Sequence, residues 1–364
     1  MVGTAAPPAK RVVIVDDSQT MRLWLAHVLN QDPRLEVVGQ AANAAEARRT
    51  IRDLRPDVIT LDIEMPGMDG LTFLERLMVR DPLPVVMVAG QTRQGSATAI
   101  RALSLGAVDC VMKPGNALDL KAQRSLVRQV YAAACSQVRP LQGTHQTVTA
   151  QFPAAQVGPQ PLVLIGASTG GVTALERILR DLHPAGPPVA IVQHMPGPFL
   201  SSFAHMLNRN LPQMVGLMRD DAPMEAGQIL LAPELGRDAT VSRLSGRWVG
   251  HLTTSAQTAA HCPSIDALFT SAMPYAADVI GVILTGLGRD GARALQHLRA
   301  GGAHTIGQDA GTSVVYGMPR AAFELDAVTE QLPLDRIGPA INAAVADYLG
   351  GRGKMRVNTE RAAR

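Results

Sequence analysis

Short β-branched runs alternate with amphipathic helical stretches along most of this chain. That alternation restricts the fold more than any other feature. Between residues 11 and 135 the runs RVVIV (Arg11–Val15), LEVVG, DVITLD (Asp57–Asp62), PVVMV and AVDCVMKP read as strands. The stretches between them carry apolar residues at helical spacing, as in Met21, Trp24, Leu25, Val28 and Leu29. Ser18 is placed to cap the first helix and Gly106 to close a later one. Five strands alternating with helices predict a parallel sheet covered on both faces.

A second alternation starts at PLVLIGAS. VAIVQH, GQILLAP, DVIGVILTG and AHTIGQ read as strands; GVTALERILRDL, PFLSSFAHMLNRN, SIDALFTSAM and GARALQHLRAGG read as helices. The pattern around Thr240–Leu252 suggests an antiparallel excursion at one edge. Between the two regions, SQVRPLQGTHQTVTAQFPAAQVGPQ carries a single charge, Arg139, and no periodicity, as a flexible linker does. At 364 residues the chain suits two domains. The expected division is a first α/β domain over 10–135, the linker over 136–160, a doubly wound, mostly parallel α/β domain over 161–349, and a disordered basic tail over 350–364.

Composition removes several classes of function. A net charge of +3 with 18% charged residues makes no case for nucleic acid or an anionic membrane as partner. Cys110, Cys135 and Cys262 are too few and too scattered for a disulfide framework or a structural zinc site. The opening MVGTAAPPAKR lacks a signal-peptide core, and no apolar run reaches membrane-spanning length, so a soluble cytoplasmic protein is expected.

In a parallel α/β sheet, ligands bind beyond the carboxyl ends of the strands. In the first domain Asp16 and Asp17 end the first strand, Asp62 ends the third and Lys113 the fifth. Three carboxylates pushed together favour a hard cation such as Mg²⁺, and a lysine opposite can neutralise a phosphoryl group. That is the equipment for phosphorylating a carboxylate, with Asp62 as the attacking group. In the second domain Gly166-Ala167-Ser168-Thr169-Gly170 satisfies G-x-S-x-G, the pattern of a serine lifted on a strand–helix turn; a phosphate-binding glycine loop uses the same backbone physics. A serine nucleophile needs a base, and His194 ends the next strand. Asp290, in ILTGLGRDGARAL, is placed either to orient that base or merely to cap a helix. The glycines around it free amides near Leu287 to act as oxyanion donors.

These motifs carry two family resemblances. Residues 11–130, with the Asp16-Asp17 pair, LDIEMPGMDG and VMKP, resemble the flavodoxin-like receiver domain of two-component response regulators. The resemblance implies phosphorylation of Asp62 by a histidine kinase, and Mg²⁺ held by Asp16, Asp17 and Asp62 with the backbone of Glu64. It also implies that Lys113 contacts the phosphate, with a bond to Pro114 open to the cis form. Residues 160–348, with GASTGG, QHMP, HCPSIDALF, VILTGLGRDGA and QDAGTSVVYGMPRAA, resemble the catalytic domain of the chemotaxis protein-glutamate methylesterases, the CheB family. The resemblance implies a nucleophile Ser168, a base His194, an orienting Asp290, and oxyanion binding at the Thr169 and Leu287 amides. It implies no cofactor in the esterase domain. The implied substrate is a glutamyl methyl ester on a methyl-accepting chemoreceptor, with glutamine deamidation by the same chemistry. A receiver docked over the cleft until phosphorylated is implied as well.

Five positions depart from the family patterns. Ala89 stands where receivers place a hydroxyl at the end of strand four, and Cys110 stands where they place an aromatic switch residue. APELGRDATV has Glu234 and Asp238 where an APG turn and His are usual, and QDA has Ala310 for Glu. Three other functions fit parts of the pattern: a transcriptional regulator, a phosphorylation-gated binding module, and an ordinary α/β-hydrolase using Asp290 followed by His304.

Overall fold

The computed structural model describes residues 8–90, 92–113, 119–136, 160–255 and 261–362, except the side chains of Arg93, Lys121 and 351–362. Residues 137–159 of the expected linker, and Pro114 with its peptide bond, lie outside these. The chain divides into two compact units, Met1–Gly143 and Thr144–Arg364.

In the first unit β1 (Lys10–Val15), α1 (Gln19–Leu29), β2 (Leu35–Ala41), α2 (Ala44–Leu54), β3 (Val58–Asp62), α3 (Gly70–Arg80), β4 (Val85–Ala89), α4 (Arg93–Ser104), β5 (Asp109–Met112) and α5 (Leu120–Ala134) alternate as the periodicity predicts. The sheet is parallel with order β2-β1-β3-β4-β5. β3 and β4 are buried along their whole length, which is why both read as unbroken apolar runs. Local signals set the helix starts. Ser18 accepts from the Met21 amide, Asp69 from Thr72 and Thr92 from Gly95. Asn43 and Glu46 form a reciprocal capping box, Glu46 reaching back to the Ala42 amide.

The second unit contains β6 (Leu162–Ala167), α6 (Gly171–Asp181), β7 (Val189–Gln193), α7 (Gly197–Asn210), β8 (Met214–Leu217), β9 (Ala222–Met224), β10 (Gln228–Leu231), β11 (Arg237–Leu244), β12 (Arg247–Thr254), α8 (Ile265–Ser271), β13 (Val279–Ile283), α9 (Ala292–Ala300), β14 (His304–Gln308), α10 (Met318–Glu324), β15 (Glu330–Leu332) and α11 (Leu334–Ala362). Seven parallel strands take the order β15-β14-β13-β6-β7-β10-β8. The antiparallel strands expected near Thr240–Leu252 form a separate sheet, β11-β12-β9. Phe199, Phe203, Phe269 and the β6, β7 and β13 side chains fill the core. α11 runs to Ala362, into the stretch from 350 expected as a tail.

Strand order locates the sites. In the first sheet the chain passes from β1 to β2 on one side and to β3 on the other. In the second, β6 has β7 on one side and β13 on the other. Each reversal opens a crevice at the carboxyl ends of adjacent strands.

Candidate functional site

The crevice of the first sheet gathers the acidic residues singled out above. Asp16 and Asp62 are almost wholly buried, Asp17 is exposed, and all three offer carboxylate oxygens within 4.8 Å of one another. Lys113 Nζ lies 2.7 Å from Asp62 Oδ2 and 3.3 Å from Asp16 Oδ2. The Glu64 amide donates to Asp62 Oδ1 at 3.3 Å, while the Glu64 side chain is exposed. Burial pushes the Asp62 carboxyl above its usual range, and Asp16 adds to that rise against the pull of Lys113. Burial works against the Lys113 ammonium, but its bond to Asp62 and the charges of Asp62 and Asp16 outweigh it and hold the group above its ordinary value. Clustered hard oxygens of this kind suit Mg²⁺. A glycine is required at position 70, because a Cβ there would sit 2.0 Å from the Asp62 carbonyl oxygen. Ala89 is fully buried at the end of β4, and its carbonyl accepts from the Lys113 amide at 2.7 Å. It offers no hydroxyl to the crevice.

In the second sheet, Ser168 follows β6 on a turn completed by Gly170 at φ +78°, and α6 begins immediately after. Neighbouring strands clamp that turn. The Ser168 amide donates to the Thr285 carbonyl at 3.0 Å, and the Ser168 carbonyl accepts from Gly171 N and from Gln193 Nε2. Thr285 Oγ1 donates to the Thr169 carbonyl at 2.9 Å, and the Thr285 amide is itself held by Gln308 Oε1. Gln193 also donates to the His194 carbonyl at 3.1 Å, so one buried amide group ties the serine turn to the end of β7.

His194 and Asp290 meet as the sequence predicts. His194 Nε2 is 2.9 Å from Asp290 Oδ2, with both side chains about 10% exposed. An ionised carboxylate only accepts, so Nε2 carries the proton and Nδ1 the free lone pair. Nδ1 is buried and without a hydrogen-bond partner. The Ser168 hydroxyl is not bonded to it, and such contacts are commonly long before substrate binds. Asp290 does not cap the helix that follows it; Gly291 occupies that cap position. Its carboxylate instead receives Ile265 N at 2.9 Å, Asp266 N at 3.0 Å and Ser264 Oγ at 3.1 Å, all at the start of α8. Burial alone would raise the Asp290 carboxyl, but the bond and charge of His194 and the α8 amides outweigh it and hold the pKa at about 2.

Leu287 lies on a loop fixed from below, the Gly286 carbonyl accepting from Gly317 N and Met318 N. A Cβ on Gly286 would come within 2.6 Å of Ser168 Cβ, so the loop and the serine turn are in close apposition. The alternative hydrolase pairing is corrected. His304 begins β14 opposite Ile280, at the amino end of the sheet beside Glu330, and cannot join Asp290 at the carboxyl end.

Gln193, Thr285, Gln308, Ser264 and His261 escaped sequence reasoning. His261 stacks on His194 with centroids 4.2 Å apart and planes at 14°. Of these, only Ser264 carried a local signal, as the capping serine before IDALF. The departures Glu234 and Asp238 both acquire partners: Glu234 accepts from Gly197 N at the start of α7, and buried Asp238 from Ser264 N. Among the described residues no helix is long and apolar enough to cross a membrane.

Comparison with known proteins places both units. A family model described as CheB methylesterase matches residues 163–341, and one described as response regulator receiver domain matches residues 12–124. The chain is 45% identical over 343 residues to a protein-glutamate methylesterase/protein-glutamine glutaminase of Agrobacterium fabrum, covering 91% of this chain and 95% of that protein. It is 46% identical over 336 residues to one from Rhizobium johnstonii, with 91% and 95% covered. The corresponding figures for a Caulobacter vibrioides protein of the same name are 44% over 333 residues, with 91% and 96% covered.

Proposed function

The chain belongs to the CheB methylesterase family, with a response regulator receiver domain ahead of the catalytic one, and on that premise we propose how its own residues carry out the family's reaction. It is a phosphorylation-regulated protein-glutamate methylesterase and protein-glutamine glutaminase. The reading gives Ser168 the role of nucleophile. Its Oγ attacks the glutamyl ester carbonyl while His194 Nδ1 takes the hydroxyl proton. The resulting imidazolium is stabilised through Nε2 by Asp290, which stays ionised. The carbonyl oxygen, now negative, is received by the amides of Thr169 and Leu287. His194 returns the proton to the departing methoxide, and methanol leaves. Water then attacks the glutamyl-serine ester, His194 taking and returning a proton in the same way, and free glutamate and Ser168 are restored. With glutamine as substrate the leaving group is ammonia. The observation that carries this reading is the 2.9 Å His194–Asp290 pair beside the clamped serine turn.

In the receiver, Asp62 is the phosphoacceptor and a histidine kinase the donor. Asp16, Asp17 and Asp62, with the backbone at Glu64, would hold Mg²⁺, which when bound offsets the negative charge of a phosphoryl group. Lys113 pairs with the oxygens of that group. The substrate is a methyl-accepting chemoreceptor, met at its cytoplasmic helices, so the enzyme works in the cytoplasm.

The test is methanol release from methylated receptor, with and without a small-molecule phosphodonor. Ser168→Ala lowers turnover by about 10³-fold or more while the fold is kept. Asp62→Asn abolishes labelling by the phosphodonor. Substantial turnover by a folded Ser168→Ala protein would refute the assignment.

A further inference from the structure

Four residues of the short segment His261–Asp266 touch the His194–Asp290 pair, in two different ways. The later ones hold Asp290, through Ser264 Oγ and the amides of Ile265 and Asp266. The first lays its imidazole against His194, centroids 4.2 Å apart and planes 14° from parallel. The reaction above uses only the two nitrogens of His194, which lie in the plane of its ring. The stack occupies the ring face and competes with neither.

We propose that His261 is a positioning residue for the base: its ring fixes the tilt of His194, and it does so productively only while uncharged. This rests on the reading of Ser168 and His194 given above.

One hydrogen bond at Nε2 holds one edge of an imidazole and leaves the ring able to rock out of its plane. A flat ring at stacking distance blocks that motion and keeps Nδ1 directed toward the serine turn. The electrostatic half of the argument concerns the moment of reaction. When His194 takes the serine proton it becomes a cation. A neutral ring against its face tolerates that charge, whereas a second imidazolium at 4.2 Å opposes it. Among the described residues, the charged groups bonded to the pair and its supports are carboxylates. Asp290 lies on Nε2, Asp266 is close enough to Asp290 to have its own carboxyl raised, after burial, by that neighbour, and Asp238 is bonded to the Ser264 amide. Arg289, exposed, precedes Asp290 in the chain. One proton serves the reaction, and a second, on His261, opposes it.

The experiment uses the full-length chain and compares wild type, His261→Phe, His261→Ala and Ser168→Ala. Methanol release from methylated receptor is followed from pH 5.5 to 8.5, together with phosphonylation of Ser168 by a fluorophosphonate probe and thermal unfolding. His261→Phe keeps a flat ring and cannot titrate. It is expected to retain kcat within about threefold at pH 8 and to exceed wild type by about tenfold at pH 5.5, the acid limb of log kcat falling with a slope near 1 rather than near 2. His261→Ala loses kcat by about 10- to 100-fold at every pH with KM unchanged, and labels slowly. The proposal is overturned if both variants match wild type in kcat and slope. It is equally overturned if both lose activity in proportion to lost thermal stability with the wild-type slope kept. Retained turnover in Ser168→Ala would instead remove the reading on which the proposal rests, so the two failures are told apart.

Discussion

Replacing Gln193 by leucine separates what holds the second domain together from what aligns its chemistry. Gln193 is 2% exposed, and its Nε2 donates to the carbonyls of Ser168 and His194 at 2.9 and 3.1 Å. Leucine has a similar volume and can donate to neither. Each carbonyl left short of a partner costs about 1–3 kcal/mol, although Ser168 O keeps its bond from Gly171 N. The substitution also removes Gln193 Oε1, which is buried without a partner, and so returns a comparable amount. The net loss of stability is then only about 1–3 kcal/mol, a fall in Tm of roughly 2–4 °C per kcal/mol for a unit of this size. Catalysis is far more exposed to the change. The same amide group joins the turn bearing Ser168 to the strand end bearing His194, and a misplacement of about 1 Å between reacting groups costs about 10²-fold. Gln193→Leu is therefore expected to lower kcat about 100-fold with KM unchanged and Tm only slightly reduced. The assay is methanol release from methylated receptor alongside calorimetric unfolding of the full chain. A protein that loses the stated stability but keeps its kcat would show that Gln193 supports the fold and does not set the alignment.

Gly286→Ala places a methyl 2.6 Å from Ser168 Cβ and 2.5 Å from Met318 Sδ; the thioether can yield and the clamped turn cannot, so kcat is expected to drop at least about tenfold in a folded protein, and an unchanged kcat would contradict the packing argument. Ala89 lacks the hydroxyl that would bond a phosphoryl group on Asp62, a charge-assisted interaction of about 1.5–3 kcal/mol, so phosphodonor should stimulate the wild-type esterase only modestly and Ala89→Ser should raise the stimulation by roughly 10- to 100-fold; strong activation of wild type, unaltered in the variant, would sink this account. Asp290 has a folded-state pKa of about 2, below its unfolded value, so its contribution of about 2 kcal/mol is fully present above pH 4 and is lost as pH falls through 2. Asp290→Asn should flatten that part of the acid unfolding curve, read by circular dichroism, and an unaltered curve would argue against it.

The alternation of strand and helix was legible because the inner parallel strands β3, β4, β6, β7 and β13 are buried on both faces and the helices between them on one, which writes period into the chain. Ser168, His194 and Asp290 stood out because each closes or follows a strand, and Ser168 and Asp290 also lie beside glycines. What they rest on was not. Gln193, Thr285 and Gln308 sit on or next to β7, β13 and β14, and their bonds to the serine turn depend on the lateral order β14-β13-β6-β7. Periodicity along a chain carries no information about lateral order. The same reason hides His261, separated from His194 by sixty-seven positions and brought to it only by the packing of α8. Of the two placements open to Asp290, the structure bonds it to His194 and to the first amides of α8, not to the helix it precedes, a choice only the folded backbone makes. The short strands β8, β9 and β15 lack the length for a periodic signature.

The capping of α8 by Asp290 couples two events ordinarily treated apart. A seven-residue helix is marginal by itself, and the first amides of this one are satisfied by the carboxylate that also bonds His194. A fluctuation that frays the start of α8 therefore loosens the carboxylate whose Oδ2 serves both the Ile265 amide and His194 Nε2. With His194 as the proposed base, protection of the Ile265 and Asp266 amides from solvent exchange and competence of that base are expected to fall together. Denaturant or heat too weak to unfold the domain would silence the enzyme at the concentration or temperature where those two amides begin to exchange, ahead of the sheet beneath them.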